Sequence, residues 1–231
     1  MSLVKPLPIA HTLRALAWLL AYPDADHRAA LPALRDALHA ERALTFGRLA
    51  EIDRLIDHLM DRSQGGAPLA VEAEYVELFD RGRATALHLF EHVHGDSRDR
   101  GPAMVDLERS YLEAGLLLAD GELPDHLGVV LEYASTQPPA AAREFLREFA
   151  HILQNLFSAL LQRESIHASA YAGVMAALLD LAGEKACAVA LPAQPGIDET
   201  WSEPAAFGGC SSAGQAQPIR LQRRPPQGAR A

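Results

Sequence analysis

The sequence predicts an all-α protein: a single-domain helical bundle over residues 1–189, followed by a flexible Pro/Gly-rich tail over residues 190–231. Three observations carry this expectation. Apolar residues recur at spacings of three and four, Ala and Leu abound while β-branched residues are few, and no apolar–polar alternation lasts long enough to make a strand. At 231 residues and 49% apolar content, the chain is long enough to bury one sizeable core.

The first helix spans 9–21, with Leu13, Leu16, Ala17 and Leu20 on one face and Pro23 ending it. A second, over 28–40, is organised around Leu31, Leu34 and Leu38. Thr45 can cap a third reaching about Met60, where Leu49, Ile52, Ile56 and Leu59 face inward and Glu51, Asp53, Arg54 and Asp57 cover the outside. The Gly/Pro loop from Ser63 to Pro68 precedes a fourth helix, Leu69 to Phe79. A linker leads to a short helix from His88 to His94. Pro102 then fits the first turn of a helix whose face is Met104, Leu107, Tyr111, Ala114 and Leu118. The segment Asp120 to Asp125 reads as a turn, with a helix from Leu127 to Ala134 beyond it. After Pro138-Pro139, one helix over 140–161 carries the stripe Phe145, Phe149, Ile152, Leu156 and Leu160. Ser165 can cap the last, which runs through Leu181. Six of the fifteen prolines fall in the last 42 residues, among Gly, Ser and Gln, which is the composition of a flexible segment. Trp201 and Phe207 within it either dock on the body or a partner or are simply tolerated.

A net charge of −9 and the absence of any dense Lys/Arg run argue against a nucleic-acid binder. The apolar patch Leu16 to Leu20 is bounded by Arg14 and by Tyr22-Pro23, too short for a signal peptide, and nothing approaches a membrane span. The expected localisation is cytoplasmic. Cys187 and Cys210 lack CxxC spacing and read as two free thiols.

The chain carries no dinucleotide fingerprint, P-loop, HExxH or nucleophile elbow, so it is not expected to be an enzyme or to hold a cofactor of its own. His88, His92 and His94 form the best metal candidate, since His88 and His92 are four apart; the alternatives are ordinary hydrogen-bonded histidines or partner recognition. The string Asp96-Ser97-Arg98-Asp99-Arg100 reads either as local capping and pairing or as a loop that grips carboxylates and carbonyls of a partner. In Glu72 to Phe79, the apolar face of Tyr75, Leu78 and Phe79 reads as core. Alternatively it edges a groove for an amphipathic peptide, with Glu72, Glu74 or Glu77 at its rim.

Glu72 to Gly115, followed by Glu122 to Ser135, resembles the NarJ family, the assembly chaperones of respiratory nitrate reductase. The likeness rests on Tyr75-Val-Glu-Leu-Phe-Asp80, Leu87-His88-Leu89, Glu91-His92, the Gly95–Gly101 loop and the Glu122-Leu-Pro-Asp125 turn. It extends to Trp201-Ser-Glu-Pro-Ala205 and Phe207-Gly208. The sequence departs from relatives at His126, where an aromatic residue is common. The resemblance implies a helical, non-catalytic chaperone in the cytoplasm. It would bind the cofactor-free catalytic subunit, including that subunit's N-terminal segment, until molybdenum cofactor and an iron–sulfur cluster are inserted and before membrane attachment. It also implies partner-binding roles for Tyr75, Phe79, His88, His92, Asp96, Arg98 and Asp99, to which the groove reading adds Glu72 at the acidic rim. Alternatives are a chaperone for a different molybdoenzyme, or a metal-binding protein using the histidine cluster.

Overall fold

The computed structural model describes residues 7–64, 68–95, 97–163 and 166–191. Asp96, Ser165, Trp201, Phe207, Cys210 and the proposed tail from residue 192 onward lie outside the described residues. Within them the architecture is all-α, and the only β feature is an isolated antiparallel bridge between His88 and His126.

Helix α1 (Ala10–Leu19) packs on α2 (Ala25–Glu41), and α2 on α3 (Phe46–Gln64). Asp24 caps α2 by accepting from the His27 N–H at 2.8 Å, which starts the helix three residues earlier than the apolar pattern suggests. Pro32 lies inside α2 on its exposed side, where water can take the place of the missing N–H. Thr45 stands before α3, its hydroxyl 3.4 Å from the Arg48 N–H.

The fourth helix is shorter than expected. α4 (Pro68–Tyr75) passes into a single π-turn, Val76–Asp80, closed by the Arg81 N–H on the Val76 carbonyl at 3.1 Å. The wider turn keeps Tyr75, Leu78 and Phe79 all buried. The carbonyl of Leu78 accepts from the hydroxyl of the buried Thr85, the last residue of the 3-10 turn Arg83–Thr85.

After α5 (Leu89–Val93), α6 (Arg100–Glu113) ends sooner than its apolar stripe predicts. Gly115, at φ 79°, takes the left-handed conformation that stops it: the Gly115 N–H donates to Leu112 and the Leu116 N–H to Tyr111, both at 2.9 Å. Leu116, Leu117 and Leu118 therefore leave the helix instead of extending its face, and Ala114 is exposed.

α7 (Leu127–Thr136) lies on α1. The predicted helix 140–161 is two helices, α8 (Pro139–Glu148) and α9 (Ala150–Gln162), separated at Phe149. No Gly or Pro marks this break; Phe149 stays buried while the chain turns, so the stripe survives it. α10 (Ile166–Ala182) packs against α3, α8 and α9, and its residues 172 and 174–179 are all at most 1% exposed. A helix apolar on every side belongs at the centre of a bundle.

Candidate partner-binding surface

Two features stand out on the side of the bundle formed by α1, α6 and α7. The first is an apolar groove. α1 buries Leu13, Leu16 and Leu19 and turns His11, Arg14 and Trp18, spaced three and four, outward. Val129, Tyr133 and Thr136 of α7 form the opposite wall, and Leu116–Leu118 close the side. The space enclosed is about 530 Å³ and adjoins a second of about 390 Å³ that shares Trp18, Leu117, Leu118, Val129 and Glu132. Leu117 is 84% exposed and Trp18 43%, far more than core residues of their size.

The groove is braced from below. The indole of Trp18 stacks on the buried His27 ring at 6.1 Å, and His27 Nε2–H donates to the Trp18 carbonyl at 2.6 Å. Burial holds His27 neutral by lowering its pKa, and its Nδ1 is buried with no hydrogen-bond partner among the described residues. Across the groove, the Tyr111 hydroxyl donates to the Pro124 carbonyl at 2.8 Å while its ring packs on Tyr133 at 4.8 Å.

The second feature is an arch, residues 83–95 and 97–100, pinned to the Glu122–Asp125 turn. The Leu127 N–H donates to the Leu87 carbonyl at 2.9 Å and the Leu89 N–H to the Asp125 carbonyl at 3.0 Å, bracketing His88 and His126. Asp125 is fully buried. Its carboxylate accepts from the Phe90 N–H at 3.1 Å at the start of α5, and lies 3.3 Å from His88 Nδ1 and 3.6 Å from Arg100. Burial alone pushes the Asp125 carboxyl up, but the hydrogen bonds from His88 and Phe90, with Arg100 nearby, hold it below the usual carboxylate range. The same bond raises His88 against its own desolvation. Arg100 also reaches Glu91 at 3.4 Å.

The histidines of the arch serve separate contacts. His92 Nε2–H donates to the Ala86 carbonyl at 2.8 Å, His94 packs edge-on against Phe90, and His88 faces Asp125 and His126. Among the described residues, no group of three or more metal-ligating side chains comes together. Arg98 and Asp99 are exposed, and the Asp99 carboxylate accepts from the Ser97 hydroxyl at 3.2 Å.

Glu72 lies elsewhere. Its carboxylate takes the Arg28 guanidinium at 2.9 Å and the Tyr22 hydroxyl at 3.1 Å, and those bonds hold its pKa down. Tyr75 and Phe79 are in the core: the Tyr75 hydroxyl donates to the Leu20 carbonyl at 2.8 Å, and Phe79 packs between Tyr75 and Tyr171. The groove residues Trp18, Arg14 and Leu117 were not among those singled out from the sequence. The available signals were a Trp on the outward row of the first helix and three leucines directly after a glycine.

A family profile described as nitrate reductase delta subunit matches residues 21–177. The chain belongs to that family. It is similar to the nitrate reductase molybdenum cofactor assembly chaperone NarJ of Escherichia coli (strain K12), 57% identical over 101 residues that make up 44% of this chain and 43% of that protein. The probable nitrate reductase molybdenum cofactor assembly chaperone NarW of the same strain is 51% identical over 112 residues, 48% of this chain and 47% of the relative. The probable NarJ of Bacillus subtilis (strain 168) is 33% identical over 167 residues, 72% of this chain and 88% of the relative. The chain thus aligns with under half the length of its E. coli relatives. Among the described residues no helix is long and apolar enough to cross a membrane, and the one described cysteine, Cys187, is free and exposed.

Proposed function

We propose that this member of the family is an assembly chaperone for a respiratory nitrate reductase. It binds the cofactor-free catalytic subunit and holds it in the cytoplasm while molybdenum cofactor and an iron–sulfur cluster are inserted, before membrane attachment. The observation that carries the reading is the groove between α1 and α7: open, apolar and bearing Glu132 midway along it, in a chain whose relatives are named as such chaperones. An amphipathic helix with basic residues suits it, and the start of the catalytic subunit is the proposed occupant. The chaperone works by holding and carries out no chemistry.

A second contact is assigned to the arch. Arg98 and Asp99 are exposed at its tip, with Asp96 beside them in sequence. His88 and His92 set the arch's shape through Asp125 and Ala86. Glu72, Tyr75 and Phe79 contribute by holding α4 and the π-turn in place behind this surface. Two weak sites on one client favour release once maturation removes either of them.

The test is calorimetric titration of the full chain with a peptide of about the first fifteen residues of the catalytic subunit. Binding that falls at least tenfold in Leu117→Asp, with melting unchanged, supports the reading. The absence of binding both to the peptide and to the cofactor-free subunit refutes it.

A further inference from the structure

The charged side chains are unevenly placed along the groove: Arg14 stands towards one end, where the Glu41 carboxylate is taken up by the His11 and Thr12 N–H groups at 3.1 and 2.6 Å, and Glu122 stands at the other. α1 and α7 run antiparallel along it: Arg14 Nε donates to the Ser135 hydroxyl at 3.1 Å, while Ala21 lines the groove with His126 and Gly128 at the opposite end of α7. His11 and Arg14 lie with Thr136 at one end, and Ala21 lies with His126 and Glu122 at the other. The dipoles of two antiparallel helices oppose each other, so side chains decide the local field.

Those side chains are not internally neutralised. Arg14 is exposed, bonds only the Ser135 hydroxyl and has no carboxylate within ion-pair distance among the described residues. Glu132 at mid-groove and Glu122 at the far end likewise make no ion pair there. Three other carboxylates on this side are engaged: Asp125 by His88 and Arg100, Glu91 by Arg100, and Glu41 by the N–H groups of His11 and Thr12. The stretch from His11 to Ala21 accommodates roughly 15 Å of helix, or about ten residues.

We propose that the groove reads direction: it accepts the amino-terminal helix of its client with the free α-amino group at Glu122 and Glu132 and the helix C-terminal end at Arg14. This rests on the chaperone reading above and deepens it. A helix in this pose places its positive dipole end and terminal ammonium on the carboxylates and its negative end on the guanidinium; the reversed pose sets like charges together. The same arrangement selects a true chain start over an internal segment of equal apolarity, because only a chain start brings the extra cation. The rest of the client then leaves the groove past Arg14 and Thr136.

The experiment uses the full chain and the fifteen-residue client peptide carrying a photoreactive group at either its first or its last residue, with cross-links mapped by mass spectrometry. The amino-terminal probe is expected to label residues 117–128, and the carboxy-terminal probe residues 11–14 and 135–136. In parallel, acetylating the peptide's amino group should weaken binding about two- to fivefold in the wild type and leave affinity unchanged in the double variant Glu122→Gln, Glu132→Gln. Peptide that binds with the probes reversed, with both probes labelling both ends, or with no effect of acetylation overturns the directional proposal and leaves the chaperone reading standing. Failure of any peptide or cofactor-free subunit to bind overturns both.

Discussion

The carboxylate of Asp125, wholly removed from solvent, lies 3.3 Å from Nδ1 of His88. The two residues are far apart in sequence and belong to the two segments that carry the family likeness. Their contact joins the two segments. Asp125 closes the start of α5 through the Phe90 N–H, aligns the His88 ring and receives Arg100 from the end of the polar loop. One buried anion thereby ties turn, arch and loop together.

Asp125→Ala should therefore cost about 3 kcal/mol, because it strands the Phe90 N–H, the His88 ring and part of Arg100 at once. For a domain of this size that is a fall in Tm of roughly 6–12 °C. Asp125→Asn keeps an acceptor for Phe90 and should lose less than Asp125→Ala. Calorimetric melting of the two variants checks the order; equal losses would mean that charge, not the hydrogen bond to α5, is what matters.

Acidification should destabilise the protein. Burial lowers the pKa values of His27, His92 and His126, so each contributes stability that is present above the unfolded value near 6.5 and is lost as pH falls through it. His88 has the opposite sign: its pKa is raised by Asp125, and its contribution is complete below about 6.5 and fades as pH climbs through the raised value. Three against one predicts a lower Tm at pH 5.5 than at pH 7.5. His27→Gln should flatten the slope, since a second N–H on that ring would point into a buried site without an acceptor. A Tm that holds or rises on acidification would contradict this balance.

The helical class and most helix cores were legible in the sequence because a three-and-four apolar spacing has one solution, an inward face. Boundaries failed where backbone geometry decided. The π-turn at Val76–Asp80 depends on Thr85 and Arg163, the latter 3.3 Å from the Arg81 carbonyl and distant in sequence. The break at Phe149 has no Gly or Pro to announce it. In the candidate surface, the arch was visible as a dense string of polar and histidine residues. The groove was not, since it forms only when Gly115 turns Leu116–Leu118 towards Trp18 of a helix nearly a hundred residues away. Tyr75 and Phe79 show the converse: the core reading and the groove reading of their face share one sequence pattern, and the structure buries both rings.

Arg42 ends α2 in the left-handed conformation, at φ 57°, the one non-glycine residue with positive φ among those described. A Cβ there costs about 1 kcal/mol, so Arg42→Gly should raise Tm by a few degrees despite the extra freedom it gives the unfolded chain. An unchanged or lower Tm in that variant would show that the Arg42 side chain contributes more than its backbone strain costs.

Thr85→Val tests the π-turn. Valine matches the shape of threonine but cannot donate to the Leu78 carbonyl or accept from Arg163, 3.4 Å away. Leaving that buried carbonyl unpaired should cost about 1–3 kcal/mol. Hydrogen exchange at Arg81, whose N–H closes the turn, should accelerate more than exchange in α10. Uniform acceleration would mean the turn is no weaker than the core around it.

Trp18 offers the most direct optical readout of the groove. Its indole is half exposed yet held flat against His27, so its fluorescence in the free protein reports a partly wet, fixed ring. A helix laid between α1 and α7 must cover that ring, because Trp18 lines both adjoining cavities. In a Trp201→Phe background, where Trp18 is the sole remaining tryptophan, adding the client peptide should shift emission to the blue and protect the ring from acrylamide quenching. Titrating the shift should return the same affinity as calorimetry. If the peptide binds by calorimetry while Trp18 emission and quenching stay unchanged, the occupant sits on another surface, and the arch becomes the first place to look for it.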